Sequence, residues 1–109
     1  MNGITELEES GFEQATGNGF SVVDFGAEWC SPCRAMIPIL EKVATQYADR
    51  VRFYSVDIDQ APSLSARNGV MSVPTMLLFM DGRAVSRIVG TITERELKNR
   101  IDEHFGQPQ

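Results

Sequence analysis

Apolar positions along this chain switch repeatedly between two spacings, and each switch predicts a change of element. Ile4–Leu7 predicts a short strand. Ser10-Gly11-Phe12-Glu13 then has the capping-box spacing, which opens a brief helix ending at the Gly17-Asn18-Gly19 turn. Phe20–Phe25 is almost continuously apolar and aromatic and suits a strand buried on both faces. From Pro32 to Tyr47 the spacing changes: Met36, Ile37, Leu40, Val43, Ala44 and Tyr47 form one helical stripe, with Pro38 inside it as a source of bending. Val51–Ile58 is β-branched and aromatic and predicts a strand; Gln60–Arg67 predicts a short helix stopped by Asn68-Gly69. Thr75–Met80 and Arg83–Val89 flank Asp81-Gly82, a hairpin signal, because a tight turn needs the positive φ that this pair tolerates. Thr93-Glu94-Arg95-Glu96 makes a second capping box, and Leu97, Ile101 and Phe105 give the last helix its stripe.

The resulting order, βαβαβαββα, predicts an α/β fold. Its central mixed β-sheet should be flanked by helices on both faces, parallel in its early strands and antiparallel at the final hairpin. With 109 residues, 42% of them hydrophobic, the chain is expected to form one domain spanning 1–109, with Gly106–Gln109 fraying at the end.

Charge narrows the partners. A net charge of -5 and a pI of about 4.8 argue against nucleic acid and anionic membranes, which attract clustered Lys and Arg. Met1–Gly11 carries Glu6, Glu8 and Glu9 with no basic residue and no apolar run, the wrong pattern for a secretory signal. No apolar run approaches the roughly 18 to 20 residues that span a bilayer. The expectation is a soluble, cytoplasmic protein, monomeric because no apolar surface stripe is evident.

The chemistry lies in the two cysteines, spaced Cys30-Ser31-Pro32-Cys33. A bridge across so short a loop restricts the unfolded chain little, so stapling the fold is a poor explanation. Redox chemistry or metal binding remain. Zinc needs further ligands, and the other soft or nitrogen ligand of the usual kind is His104, far along the chain; no metal is expected. Cys30 follows a strand and opens a helix, where backbone N–H groups and the helix dipole favour a thiolate. Pro32 suits the first helical turn, and Cys33 falls on the same face as Cys30, one turn inward. An exposed Cys30 would attack a target disulfide, and a more buried Cys33 would resolve the mixed disulfide. Asp24 sits within the apolar run of a central strand; burial there raises a carboxyl pKa unless the side chain points out at the sheet end. Trp29 either packs on the core or rims the cysteines. Met36, Met76 and Met80 read as core filling, whereas Met71 lies close to Val73-Pro74.

The run Val23-Asp24-Phe25-Gly26-Ala27-Glu28-Trp29-Cys30-Ser31-Pro32-Cys33-Arg34, with Pro38, Val73-Pro74-Thr75, Asp81-Gly82 and Val89-Gly90 at matching intervals, closely resembles the thioredoxin family over nearly the whole chain. The resemblance implies the thioredoxin fold and a protein-disulfide reductase. Its group would be a reversible Cys30–Cys33 disulfide with no other cofactor, supplied with electrons by a thioredoxin-reductase-like partner. It implies Cys30 as nucleophile, Cys33 as resolving thiol and Asp24 as proton acceptor for Cys33. Disulfide-containing target proteins would bind at Trp29, Ser31, Pro32, Val73, Pro74 and Gly90. It also implies a cis bond before Pro74, where the residues alone favour trans.

Three residues depart from the family pattern. Ser31 stands where glycine is most frequent, between the first cysteine and the proline, at a position that tunes redox potential. Gly26 stands where many members carry an aromatic residue, and Ser55 where many carry a lysine near the buried acid. Two other functions stay open on the sequence: a dithiol oxidant or isomerase, and a thioredoxin-fold binding subunit whose cysteines are incidental.

Overall fold

The computed structural model describes residues 1–106, so the fraying expected for Gly106–Gln109 lies largely outside the described residues. Ten elements follow in order: β1 (Ile4–Glu6), a 3-10 turn (Glu9–Gly11), α1 (Phe12–Thr16), β2 (Phe20–Gly26), α2 (Ser31–Gln46), β3 (Val51–Asp57), α3 (Pro62–Arg67), β4 (Thr75–Met80), β5 (Arg83–Val89) and α4 (Glu94–Phe105). The expected βαβαβαββα order stands, and this is the α/β thioredoxin fold.

The five strands form one sheet ordered β1-β3-β2-β4-β5. β3 pairs in parallel with β1 and β2, while β4 runs antiparallel to both β2 and β5. Antiparallel pairing therefore begins one strand earlier than the hairpin alone predicts. β2 lies at the centre with Ser21–Phe25 buried throughout, as a strand covered on both faces must be. Because side chains alternate across a strand, Val22, Met76 and Leu78 face α2 and α4, joining Met36, Leu40, Val43, Leu97 and Ile101. Val23, Phe25, Leu77 and Phe79 face the other way, joining Phe12 and Leu64 of α1 and α3.

Local signals explain most boundaries. Both halves of the Thr93/Glu96 capping box form at the start of α4. Asp81 and Gly82 have φ of 50° and 86°, the left-handed pair that a two-residue hairpin requires. The turn is also fixed from outside, as the Gly19 N–H donates to Asp81 Oδ1 at 2.7 Å. The capping box expected at Ser10 does not form: the 3-10 turn runs straight into α1, whose cap position, Gly11, has no side-chain hydrogen bond. A tertiary contact prevails there, since Glu9 Oε1 accepts from the Leu64 N–H of α3 at 3.1 Å. The sheet's two margins differ from its centre: β1 has three residues, and β5 pairs through an irregular register at Leu78/Phe79 and exposes Arg83 and Arg87.

Candidate active site

The site lies where β2 ends and α2 begins. Cys30 is the N-cap of α2, in extended conformation, and Pro32 occupies the first helical turn, where a missing N–H costs nothing. Cys30 and Cys33 are joined in a disulfide with a Cα–Cα distance of 5.2 Å. The Cys33 N–H donates to Cys30 Sγ at 3.1 Å, so the sulfur takes the place of the oxygen that usually caps a helix. The expected contrast in exposure is absent. Cys30 is 3% and Cys33 5% exposed, both packed in one cluster with Ala27, Ile58 and Val73. What separates the two is backbone hydrogen bonding.

Around the disulfide, Trp29 is exposed rather than packed on the core, and its indole Nε1 donates to Asp59 Oδ2 at 2.8 Å. Ser31 and Pro32 are exposed on the first turn of α2. Arg34 reaches back over that turn, donating from Nη2 to Ser31 Oγ at 3.0 Å and from Nη1 to the Glu28 carbonyl. Val73 is half-buried against the cysteine pair, and the Val73–Pro74 bond is cis, as the family resemblance implied. Gly90, with φ of 89°, donates its N–H to the Pro74 carbonyl at 2.8 Å, which holds the start of β4 and the end of β5 together beside the site. The residues singled out in the sequence thus converge from three chain segments. Met71 and Val89 extend the apolar rim, at 95% and 63% exposure. Asp59 and Ile58 were not foreseen; they sit at the end of β3, and no local pattern announces a contact thirty residues from Trp29.

Asp24 lies inward of the disulfide at 6% exposure, which excludes a solvated side chain at the sheet end. Its Oδ1 is buried without a hydrogen-bond partner. Burial alone pushes its carboxyl up to about 7. Gly26 separates it from the sulfur: a Cβ there would lie 3.5 Å from Cys33 Sγ and 4.0 Å from Asp24 Oδ2. Among the described residues, no group of three or more His, Cys, Asp and Glu could hold a metal ion. His104 sits in the last turn of α4, away from the cysteines along the fold.

A pair of thiols placed this way can accept and return two electrons by closing and opening a single bond, which is the chemistry of a thiol–disulfide oxidoreductase. The Thioredoxin family model matches residues 3–103. Thioredoxin 1 of Synechococcus elongatus is 40% identical over 84 residues, covering 77% of this chain and 78% of that protein. Thioredoxin of Staphylococcus aureus is 35% identical over 102 residues, covering 94% and 98%. The chain belongs to the thioredoxin family, and its activity is the reduction of disulfides in other proteins. Its redox group is the active-site disulfide, and its partners are, in general terms, a reductase and disulfide-containing targets.

Proposed function

We propose that Cys30 is the attacking thiol, Cys33 the resolving thiol and Asp24 the proton acceptor within this activity. The observation that carries the assignment is the hydrogen bond from the Cys33 N–H to Cys30 Sγ at the start of α2. In the reduced protein the same donor, aided by the helix dipole, favours the thiolate of Cys30 over that of Cys33. The Cys30 thiolate attacks one sulfur of the target disulfide; that S–S bond breaks, and the target's other sulfur leaves and takes a proton. Cys33 then gives its proton to Asp24 and attacks Cys30 Sγ, forming the internal disulfide. The target's bound sulfur leaves as a thiolate and takes a proton from solvent, so the target departs as a dithiol, and Asp24 later gives its proton up to solvent. The reductase later supplies two electrons and two protons to restore both thiols.

Asp24 suits its part because a carboxyl poised near 7 can take a proton at neutral pH and lose it again. Trp29, Ser31, Pro32, Val73 and Gly90 form the shallow surface on which a target segment docks, with Pro74 buried directly behind Val73. The 1–109 chain works as a single domain and a monomer, without metal or nucleic acid. Its compartment is the cytoplasm, where glutathione and reductases keep thiols reduced. No helix among the described residues is long and apolar enough to cross a membrane.

Three variants test the roles. Cys33→Ser should accumulate a mixed disulfide between Cys30 and the target, visible on a non-reducing gel, whereas Cys30→Ser should form none; the reverse pattern would exchange the roles. Asp24→Asn should slow release of the mixed disulfide by about 10²-fold, the lower end for general-base catalysis, and leave the attack of Cys30 nearly unchanged in stopped-flow traces. Equilibration with glutathione buffers, followed by Trp29 fluorescence, then separates reductase from oxidant, because an oxidant has the more positive potential.

A further inference from the structure

On the flank of the disulfide, away from the Trp29 and Val73 surface, a cleft of about 290 Å³ opens between α2 and the ends of β1, β2 and β3. Strand register explains it. Glu6, Ser55 and Asp24 are paired neighbours across β1, β3 and β2, and Asp57 pairs with Gly26 in the next row. These side chains share the sheet face that is apolar further along, at Ile4, Phe53 and Val22. Here the face turns acidic and, at Gly26, loses its side chain. Ala27 and Ile37 give the cleft apolar walls, while Val56 between Ser55 and Asp57 turns its side chain to the opposite layer.

Its charge is unbalanced. Glu6, Asp24 and Asp57 line it from β1, β2 and β3, and Glu28 from the loop before α2. The cationic side chain in the lining is Arg34 of α2, which is already engaged with the Glu28 carbonyl and the Ser31 hydroxyl. Among the described residues, no ion pair and no side-chain hydrogen bond reaches Asp24, although it is 6% exposed and lines the cleft. A buried carboxylate without a partner is costly, and a cation brought beside it recovers much of that cost.

We propose that the cleft binds a small organic monocation: a primary ammonium on a short apolar stem, its charge against Asp24 and its stem along Ala27 and Ile37. The apolar walls select a stem over a bare metal ion, and the volume, near the lower bound for ligand pockets, fits a few carbon atoms. The carboxyl is the one proposed above as proton acceptor for Cys33, so a bound ammonium would compete with that proton, but the binding itself does not rest on the catalytic role. Binding requires the ionised carboxylate, so below about pH 7 it must expel a proton and weakens accordingly.

The probe is n-butylammonium, titrated into the oxidised full chain and followed by NMR at the Asp24 carboxyl and at the Gly26, Cys33 and Ser55 amides. An alkylammonium, like a lysine side chain, stays protonated to about pH 10. Saturable shifts confined to these residues are expected, with an affinity about thirtyfold higher at about pH 8.5 than at about pH 5.5, the factor set by a carboxyl titrating near 7. n-Butanol, with the stem alone, and sodium, with the charge alone, should not reproduce them. Asp24→Asn should abolish the pH dependence. Gly26→Leu should fill the cleft and abolish binding while amides elsewhere keep their positions. Shifts absent or unsaturated, equal with butanol, or unchanged in both variants would overturn the proposal.

Discussion

At the scale of single residues, Asp24 has the clearest thermodynamic consequence. Its carboxyl is pushed from 3.8 to about 7 by burial, so in the unfolded chain it ionises at a lower pH than in the native protein. Between those values the unfolded state holds fewer protons, and stability falls as pH rises through the window. Above about pH 7 the loss is complete, at about 4 kcal/mol for a shift of this size. Asp24→Asn, neutral at every pH, should therefore unfold at higher denaturant concentration than the native protein at about pH 8.5. The gain should shrink toward nothing near pH 4, and a gain independent of pH would show that the native carboxyl is not perturbed. That Asp24 is buried was legible in the sequence, because it interrupts an apolar run on a central strand. That it lacks a partner was foreshadowed by Ser55, its cross-strand neighbour. The similar burial of Cys30 and Cys33 was not legible, since it depends on Ile58 and Val73, which reach the pair from other segments.

At the scale of elements, the chain was legible where the signal is local and illegible where a distant contact competes. Both capping boxes have the same spacing; the one at Thr93 forms and the one at Ser10 does not. The difference is Glu9, drawn to the Leu64 N–H of α3. Thr93→Ala removes a cap whose hydroxyl accepts from the Glu96 N–H at 3.1 Å and should cost about 1 kcal/mol. Ser10→Ala should cost much less, because its hydroxyl caps nothing. Urea denaturation of the two variants measures the contrast, and equal losses would mean that the Ser10 box does form in solution. Asp81-Gly82 belongs to the legible class, its two positive φ values being a property of the residue types themselves. The cap of α2 belongs there too: Cys-x-x-Cys places a sulfur and the N–H of its partner one helical turn apart, so the spacing that permits the disulfide also builds the cap.

For the whole molecule, the fold class followed from element order, but the strand order did not, because register between distant strands leaves no trace in local periodicity. β2 and β4 at the centre bind the two apolar layers into one unit. Leu77 and Leu78, adjacent on β4, face opposite layers and are both about fully buried. Either one changed to Ala should cost about 2 to 5 kcal/mol and lower Tm by roughly 10 to 20 degrees, still in a single transition; two separate transitions would show that the layers unfold independently. The margins of the sheet carry a different consequence. A protein that opens disulfides in others spends its working life beside partly unfolded chains, which seek unpaired strand edges. Here such a segment would meet a strand of three residues on one side, and on the other an irregular strand bearing Arg83 and Arg87. The molecule can loosen its clients without offering them a template on which to aggregate.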